Sequence, residues 1–287
     1  MDEFLTTKEV AELMRIKERK VYDLVQRSDI PVSRATGKLL FPKEDLHNWL
    51  AASSGMKHRA PATITGSHDP FLEAVLRACG SPIAAIWNGS SNGLDLLKDG
   101  QASVAAVHIF DPHNASWNIQ AVNTLFEDSD VVLIEWARRQ RGLVFHKQFD
   151  GKIKHFKDVK SFKIAARQNG SGAQILWDYM VDEAGLDKDA LNLSTEQHTE
   201  LDAVLSLIDG SAEIAFGLQH LAQRYQLSFL PVIEERVDLL IKRSFYFEPV
   251  FQEFLSYCNS AACRELVQRF SGYDFSQFSQ VHFNAPG

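Results

Sequence analysis

The sequence predicts an α/β protein, a mostly parallel-sheet body behind a small and mainly helical head. Three observations carry this. Within Ala62–Asp111, strand-like runs at Thr63–Thr65, Ile83–Trp87 and Ser103–Ile109 alternate with helical patterns at Pro70–Cys79 and Ser91–Leu97, the order that builds parallel sheets. Both turns from strand into helix carry Gly-Ser, at Gly66-Ser67-His68-Asp69 and Gly89-Ser90-Ser91-Asn92. Such turns aim free backbone N–H groups, a hydroxyl and the positive end of a helix dipole at one point, and open α/β sheets bind ligands there. The third observation is charge: residues 1–60 hold 11 Lys/Arg against 9 Asp/Glu, the remainder 19 against 28, within a net charge of −7. An acidic body cannot hold DNA through bulk charge, so any DNA contact is confined to the head.

At 287 residues the chain is long for one core, and two or three lobes are expected. No apolar run approaches a membrane span, and MDEFLTTKEV lacks the basic and apolar regions of a signal peptide. Cys79, Cys258 and Cys263 form no CxxC; they fit a reduced cytoplasmic protein, with inert core packing as their role.

In the head, Thr6-Thr7-Lys8-Glu9 is a capping-box start, followed by an apolar face of Val10, Leu13 and Met14. After the turn Arg15-Ile16-Lys17, a second helix over Glu18–Arg27 points Val21, Leu24 and Val25 inward and leaves Arg19, Lys20, Tyr22, Asp23 and Gln26 outward. Val32–Phe41 reads as two strand-like arms joined through Gly37, with Arg34 and Lys38 near the tip. Pro42 opens a third helix over Lys43–Ala52, closed by Leu46, Trp49 and Leu50.

These features, in the order LT-x-x-E-x-A, R-x-V-Y, a glycine-bearing wing and DL-x-x-WL, resemble the excisionase-type winged helix-turn-helix related to MerR-type regulators, over about residues 4–52. The resemblance implies binding of double-stranded DNA, with Lys17, Arg19, Lys20, Tyr22 and Gln26 toward the major groove and Arg34 and Lys38 on the backbone. A homodimer on a two-fold operator is expected.

Residues 53–61 are small, polar and Pro-terminated, as a linker should be. Beyond the opening unit, the pattern gives a helix at Trp117–Phe126, a strand at Asp130–Trp136, a basic crossing at Arg138–Gly142 and a strand at Leu143–His146. A second α/β unit begins at Phe162–Ala166 and passes through Arg167–Gly172 into a helix over Ala173–Ala184. A helix at Glu200–Asp209, strands at Ala212–Gly217, Leu227–Val232 and Val237–Lys242, and terminal helices near Phe247–Tyr257 and Cys263–Phe270 complete the reading.

The segments GSHD, GSSNGLDLLKDGQASVAAVHIFD, ARQNGSGAQILWDYM and LSFLPVIEERVDLLI resemble the periplasmic-binding-protein-like (PBP-like) domain that follows excisionase-type heads in bacterial regulators and is similar to molybdate-binding proteins. The resemblance implies a two-lobed type 2 periplasmic-binding-protein-like domain over residues 62–287, with lobe I at 62–137 and 243–287 and lobe II at 142–236. It also implies a ligand-responsive transcription regulator, with molybdate, tungstate or a pterin-linked anion as effector and no other cofactor.

A tetrahedral oxyanion needs convergent N–H and O–H donors rather than full cationic charge. Ser67, Ser90, Ser91 and Ser171 offer them, each alternatively an ordinary helix cap. Arg167 is placed either for a bidentate contact or for an ion pair with Asp69 or Glu196. His68 and Asp69 complete the first turn. Asp69 would repel a bare dianion, so it either caps the helix at Pro70 or accepts a hydrogen bond from an organic part of the ligand. By resemblance, His108 and Asp111 occupy a His-x-x-Asp position that continues to Asn118; His108 either faces the cleft or is held at a strand end. His198-Thr199 does not align with the histidine of related chains.

Three catalytic motifs are missing: no GxxxxGK[ST], no GxGxxG and no HExxH. A metal-ligand spacing is missing as well, and an enzyme is not expected. Two functions stay open, an anion-sensing regulator and a carrier for a molybdenum-cofactor precursor that uses its head for assembly.

Overall fold

The computed structural model describes residues 4–27, 30–34, 37–53 and 60–285. The chain divides into two compact units, Met1–Arg59 and Ala60–Gly287. Most of the expected linker, residues 54–59, lies outside the described residues.

The head is built from β1 (Phe4–Thr6), α1 (Thr7–Met14), α2 (Glu18–Gln26), β2 (Leu40–Pro42) and α3 (Lys43–Ser53). The capping box holds: Thr6 donates its N–H to Glu9 Oε2 at 2.7 Å, and its hydroxyl caps the Glu9 N–H. Arg15, in the left-handed region at φ 54°, ends α1 and turns the chain into α2. Val10, Ala11, Val21, Val25, Ile30, Phe41 and Leu46 form the core. Leu13 is not part of it: it is 44 % exposed, and Ala11 takes the inward position, one residue around the helix from the expected face. The wing differs too. Among the described residues, only Ser33 and Leu40 bridge its two arms, while β2 pairs with β1 in antiparallel register.

The body opens with β3 (Thr63–Gly66), α4 (Pro70–Ala78), β4 (Ala84–Trp87), α5 (Ser90–Lys98) and β5 (Val104–Val107). A small hairpin of β6 (Phe110–Asp111) and β7 (Ser116–Trp117) leads into α6 (Ile119–Phe126), so Trp117 belongs to a strand and not to the helix expected there. Then come β8 (Val131–Phe145), β9 (Ile164–Ala165), α7 (Gly172–Glu183), α8 (Glu200–Ile208), β10 (Ile214–Leu218), α9 (Gln219–Arg224) and β11 (Ser228–Lys242). The chain closes with α10 (Arg243–Tyr246), α11 (Pro249–Cys258), α12 (Ala261–Val267), β12 (Tyr273–Asp274) and β13 (Val281–Asn284).

One nine-stranded sheet runs through the body in the order β4-β3-β5-β11-β8-β10-β9, with β12 and β13 added to β8. The pairs β3/β4, β3/β5 and β9/β10 are parallel, and the rest are antiparallel. The expected basic crossing is part of a longer strand. β8 and β11 are 15-residue strands paired along nearly their whole length, so each passes through both lobes as half of a ribbon. The run Arg138-Arg139-Gln140-Arg141-Gly142 lies inside β8. Register shifts at Pro231/Ile233 and Val237/Asp238 bend the ribbon between the lobes.

Helices cover both faces, as parallel strands require. In lobe I, one face packs β3, β8 and β11 on α4 and α11 through Ile64, Phe71, Trp136, Leu239 and Phe254. The other packs Leu94, Val107, Val122, Leu133 and Leu240 beneath α5 and α6. Lobe II has two smaller cores, around Leu143, Trp177 and Phe216, and around Val144, Val204 and Leu221. The fold is α/β, with a small, mainly helical head preceding the body in the chain. No helix among the described residues is long and apolar enough to cross a membrane.

Candidate functional site

Two glycines set the geometry of the site. Gly66, at φ 103°, ends β3 where a side chain would overlap the Ala106 carbonyl, and Gly93 of α5 lies against Gly66 with no room for a Cβ. This close approach drops the first turn of α5 onto the end of β3. As a result Ser67 Oγ and Ser90 Oγ sit 2.7 Å apart, both buried. Ser90 Oγ also accepts the His108 N–H at 3.2 Å, and Asn88 ties the two turns by accepting from Thr65 Oγ1 and Gly66 N at 3.0 Å each.

Lobe II closes on this point through the loop before α7. Ser91 donates its N–H to the Gly170 carbonyl at 3.4 Å. A Cβ on Gly89 would lie 3.4 Å from Ser171 Cα, and one on Gly172 would strike the His108 carbonyl. The structure therefore brings Ser67, Ser90, Ser91, His108 and Ser171 together from four separate segments. Ser171 is at the same time the N-cap of α7, accepting the Gln174 N–H at 3.1 Å. Ser67 does not start a helix: that place belongs to Asp69, which caps α4 by accepting the Leu72 N–H at 2.7 Å.

Behind the serines runs a buried chain of charges that sequence reasoning missed. Asp69 Oδ2 takes Arg139 Nη1 at 2.6 Å, and Arg139 Nε reaches Glu235 Oε1 at 2.5 Å. Glu235 Oε2 takes Arg141 Nε at 2.8 Å, and Arg141 Nη2 reaches Glu200 Oε1 at 2.6 Å. Arg167 Nη1 lies 2.8 Å from the same Glu200 oxygen. Arg167 thus pairs with neither of its expected partners, Asp69 and Glu196, and its Nε instead donates to the Gln197 carbonyl at 3.2 Å. Trp136 Nε1 and Tyr273 Oη complete Asp69, at 3.1 and 2.7 Å.

The chain contains three guanidiniums and three carboxylates, hence no net charge. Burial works against the charge on Glu235, yet Arg139 and Arg141 hold its carboxyl well below the usual range. Burial likewise opposes charge on Glu200, and Arg141 and Arg167 overcome it. The same carboxylates keep Arg139 and Arg141 above the ordinary arginine range against burial. His108 goes the other way. Burial lowers its pKa more than Glu235, 3.1 Å from Nδ1, raises it, so the ring is neutral near pH 7.

The remaining residues singled out in the sequence fall at the edges. His68 is buried against Trp87, with Nε2 3.2 Å from Glu73 Oε2 and no partner for Nδ1 among the described residues. Asp111 accepts from the His113 N–H and Asn114 within the β6–β7 turn. Asn118 donates to Asp238 Oδ2 at 2.8 Å and accepts the Ile109 N–H at 2.6 Å. Thr199 caps α8, and the His198 carbonyl accepts from Arg167 Nη2 at 3.4 Å. In the head, Lys17, Arg19, Lys20, Tyr22 and Gln26 are exposed along α2, as are Arg34 and Lys38 of the wing.

Residues 74–259 match the family described as the PBP superfamily domain, and residues 4–54 match a helix-turn-helix domain. The chain is 24 % identical over 292 residues to uncharacterized protein YvgK of Bacillus subtilis (strain 168), covering 94 % of each. Among solved structures it is similar to PhnD1 from Prochlorococcus marinus (MIT 9301) in complex with methylphosphonate: TM-score 0.50, 8 % identity, 77 % of this chain and 94 % of that one. It is also similar to the regulatory domain of CcmR from Synechocystis PCC6803 in complex with 2-PG: TM-score 0.50, 13 % identity, 73 % of this chain and 95 % of that one. At these identities the two likenesses show the fold.

Proposed function

The chain belongs to the PBP superfamily, and with a helix-turn-helix domain ahead of that body we propose that it is a DNA-binding transcriptional regulator sensing a small oxyanion of the molybdate and tungstate class. The observation that carries the ligand class is the state of the carboxylates beside the serine turns. Every oxygen of Asp69, Glu200 and Glu235 already accepts from, or is paired with, at least one internal cation or N–H or O–H group.

A ligand held here meets hydroxyl and backbone donors and finds none of those carboxylates free to accept a proton. Molybdate and tungstate are fully ionised in neutral water and need only donors. Phosphate keeps a proton through much of the neutral range, and none of these carboxylates is free to accept it; a buried proton left unpaired costs about 1–3 kcal/mol. Asp69, whose charge would repel a dianion, is neutralised by Arg139 and turned to its helix cap. It does not count against a bare oxyanion. In the head, we read α2 as the major-groove helix, with Arg19 and Lys20 as its leading cations and Arg34 and Lys38 of the wing on phosphates.

Calorimetry on the full chain tests the ligand. Molybdate and tungstate should bind, phosphate should be at least about tenfold weaker, and Ser67→Ala or Ser90→Ala should each weaken molybdate about tenfold or more. Equal affinity for phosphate, or no heat from either metal oxyanion, removes the ligand assignment. A gel shift on the DNA upstream of its own gene tests the head. Arg19→Ala with Lys20→Ala should abolish the shift, and molybdate should alter that of the intact protein. An intact protein that shifts nothing at low salt points instead to the carrier reading.

A further inference from the structure

Away from the serine turns, three strands of lobe I bring Glu135 (β8), Asp238 (β11) and His282 (β13) together, each offering one ligand atom within 4.8 Å of the others. We propose that these side chains form a binding site for a divalent transition cation that ties the C-terminal strand to the crossing ribbon. The proposal is independent of the oxyanion assignment.

Four observations support it. Asp238 Oδ1 is buried and has no hydrogen-bond partner among the described residues, so this carboxylate keeps one oxygen open. The opposite oxygens are held from behind. Arg138 Nε holds Glu135 Oε1 at 3.1 Å, while Arg236 Nε and Nη2, at 3.0 and 2.9 Å, and Asn118 Nδ2, at 2.8 Å, hold Asp238 Oδ2. That is the outer-shell support that orients carboxylate ligands in metal sites. Glu135 Oε2 and His282 Nε2 already face each other at 2.8 Å, across a position that a cation would take in place of the Nε2 proton.

The last observation is the charge balance. Arg138 lies 3.7 Å from Glu234 and is opposite Asp274 in register. The group therefore holds Glu135, Asp238, Glu234 and Asp274 against Arg138 and Arg236, with the His282 ring neutral in this count. Two negative charges are in excess, the amount one dication supplies.

One imidazole nitrogen with two carboxylates suits Zn²⁺, Co²⁺ or Mn²⁺ better than Mg²⁺ or Ca²⁺, which favour all-oxygen shells. His282 is the most accessible of the three, with 12 % of its side chain exposed, and gives the entry route. Loading shifts its single ring proton from Nε2 to Nδ1, which opens the 3.5 Å contact with Arg236 Nη1.

The test is a titration of chelator-treated full-length protein with Co²⁺, followed by the visible ligand-field absorption. Uptake of one ion per chain is expected, with displacement by Zn²⁺ and a higher melting temperature in Zn²⁺. His282→Ala and Asp238→Asn should each weaken uptake at least about tenfold, with folding checked by circular dichroism. Failure of the unaltered protein to take up Co²⁺ overturns the site, and so does wild-type uptake by His282→Ala.

Discussion

Glu235→Ala is expected to destabilise the body by about 3–5 kcal/mol, enough to leave much of it unfolded at physiological temperature. Glu235 is the middle carboxylate of the buried chain. It takes Arg139 on one oxygen and Arg141 on the other, with His108 beside the second. All three neighbours are buried, and no solvent replaces the lost anion. Arg139 would keep Asp69, and Arg141 would keep Glu200, but two buried guanidiniums on the same face of β8 would then share one uncompensated charge. Chemical denaturation followed by tryptophan fluorescence, to which the fully buried Trp136 contributes, reads the loss. A cost below about 1 kcal/mol would show that the chain of charges is spectator to folding.

Acid should reach the same network. Burial disfavours the charged forms of Glu235 and Glu200, but the arginines overcome it and hold both carboxyls low. A depressed folded pKa means that the stabilisation is complete above the ordinary carboxylate range and is lost as pH falls through the folded values. His108, lowered by burial, acts in the same direction, because the folded chain refuses a proton that the unfolded chain accepts as pH falls below the usual histidine value. Asp238, pushed up to about 6 by burial, acts in the opposite sense, its contribution fading as pH rises from the ordinary aspartate value through about 6. Glu235→Gln should flatten the acid limb of a stability-against-pH curve measured on the full chain.

The sequence makes some of this visible and hides the rest for physical reasons. Strand and helix alternation in the opening unit, the capping box at Thr6 and the glycine-serine turns are local signals, and each structural counterpart lies within a residue or two. The buried chain is not local. Arg139 and Arg141 are joined to Glu235 and Glu200 across separations of 59 to 96 residues, and in isolation Arg-Arg-Gln-Arg-Gly reads only as a basic crossing. The same run therefore hid the continuity of β8: hydrophobic periodicity stops where charges replace apolar side chains, although every residue from Val131 to Ala137 and from Gly142 to Phe145 is buried. The head shows a smaller version. Leu13 is more apolar than Ala11, but helix phase places alanine in the core and leucine outside. Pairing of β2 with β1 depends on a register between distant segments that no local pattern encodes.

Gly172→Ala should weaken molybdate binding at least about tenfold while leaving the body folded. Gly172 is the first residue of α7, and its Cα faces the end of β5 so closely that a methyl group would overlap the His108 carbonyl oxygen and lie 2.8 Å from the ring. Neither neighbour can retreat easily: the His108 N–H is held by Ser90 Oγ, and Nδ1 lies 3.1 Å from Glu235. The strain, about 1–3 kcal/mol for an extra methyl in a packed site, is relieved by moving the start of α7 away from the serine turns. That movement carries Ser171 out of reach of Ser67 and Ser90, so the donors no longer converge on one guest. Hydrogen exchange without added ligand provides the check that does not assume the oxyanion. Amides at 90–93, 108–109 and 172–175 should exchange faster in the variant, while those of β8 and β11 keep their protection. Unchanged exchange at all three segments would show that the lobes already stand apart at this contact, whatever the calorimetry gives.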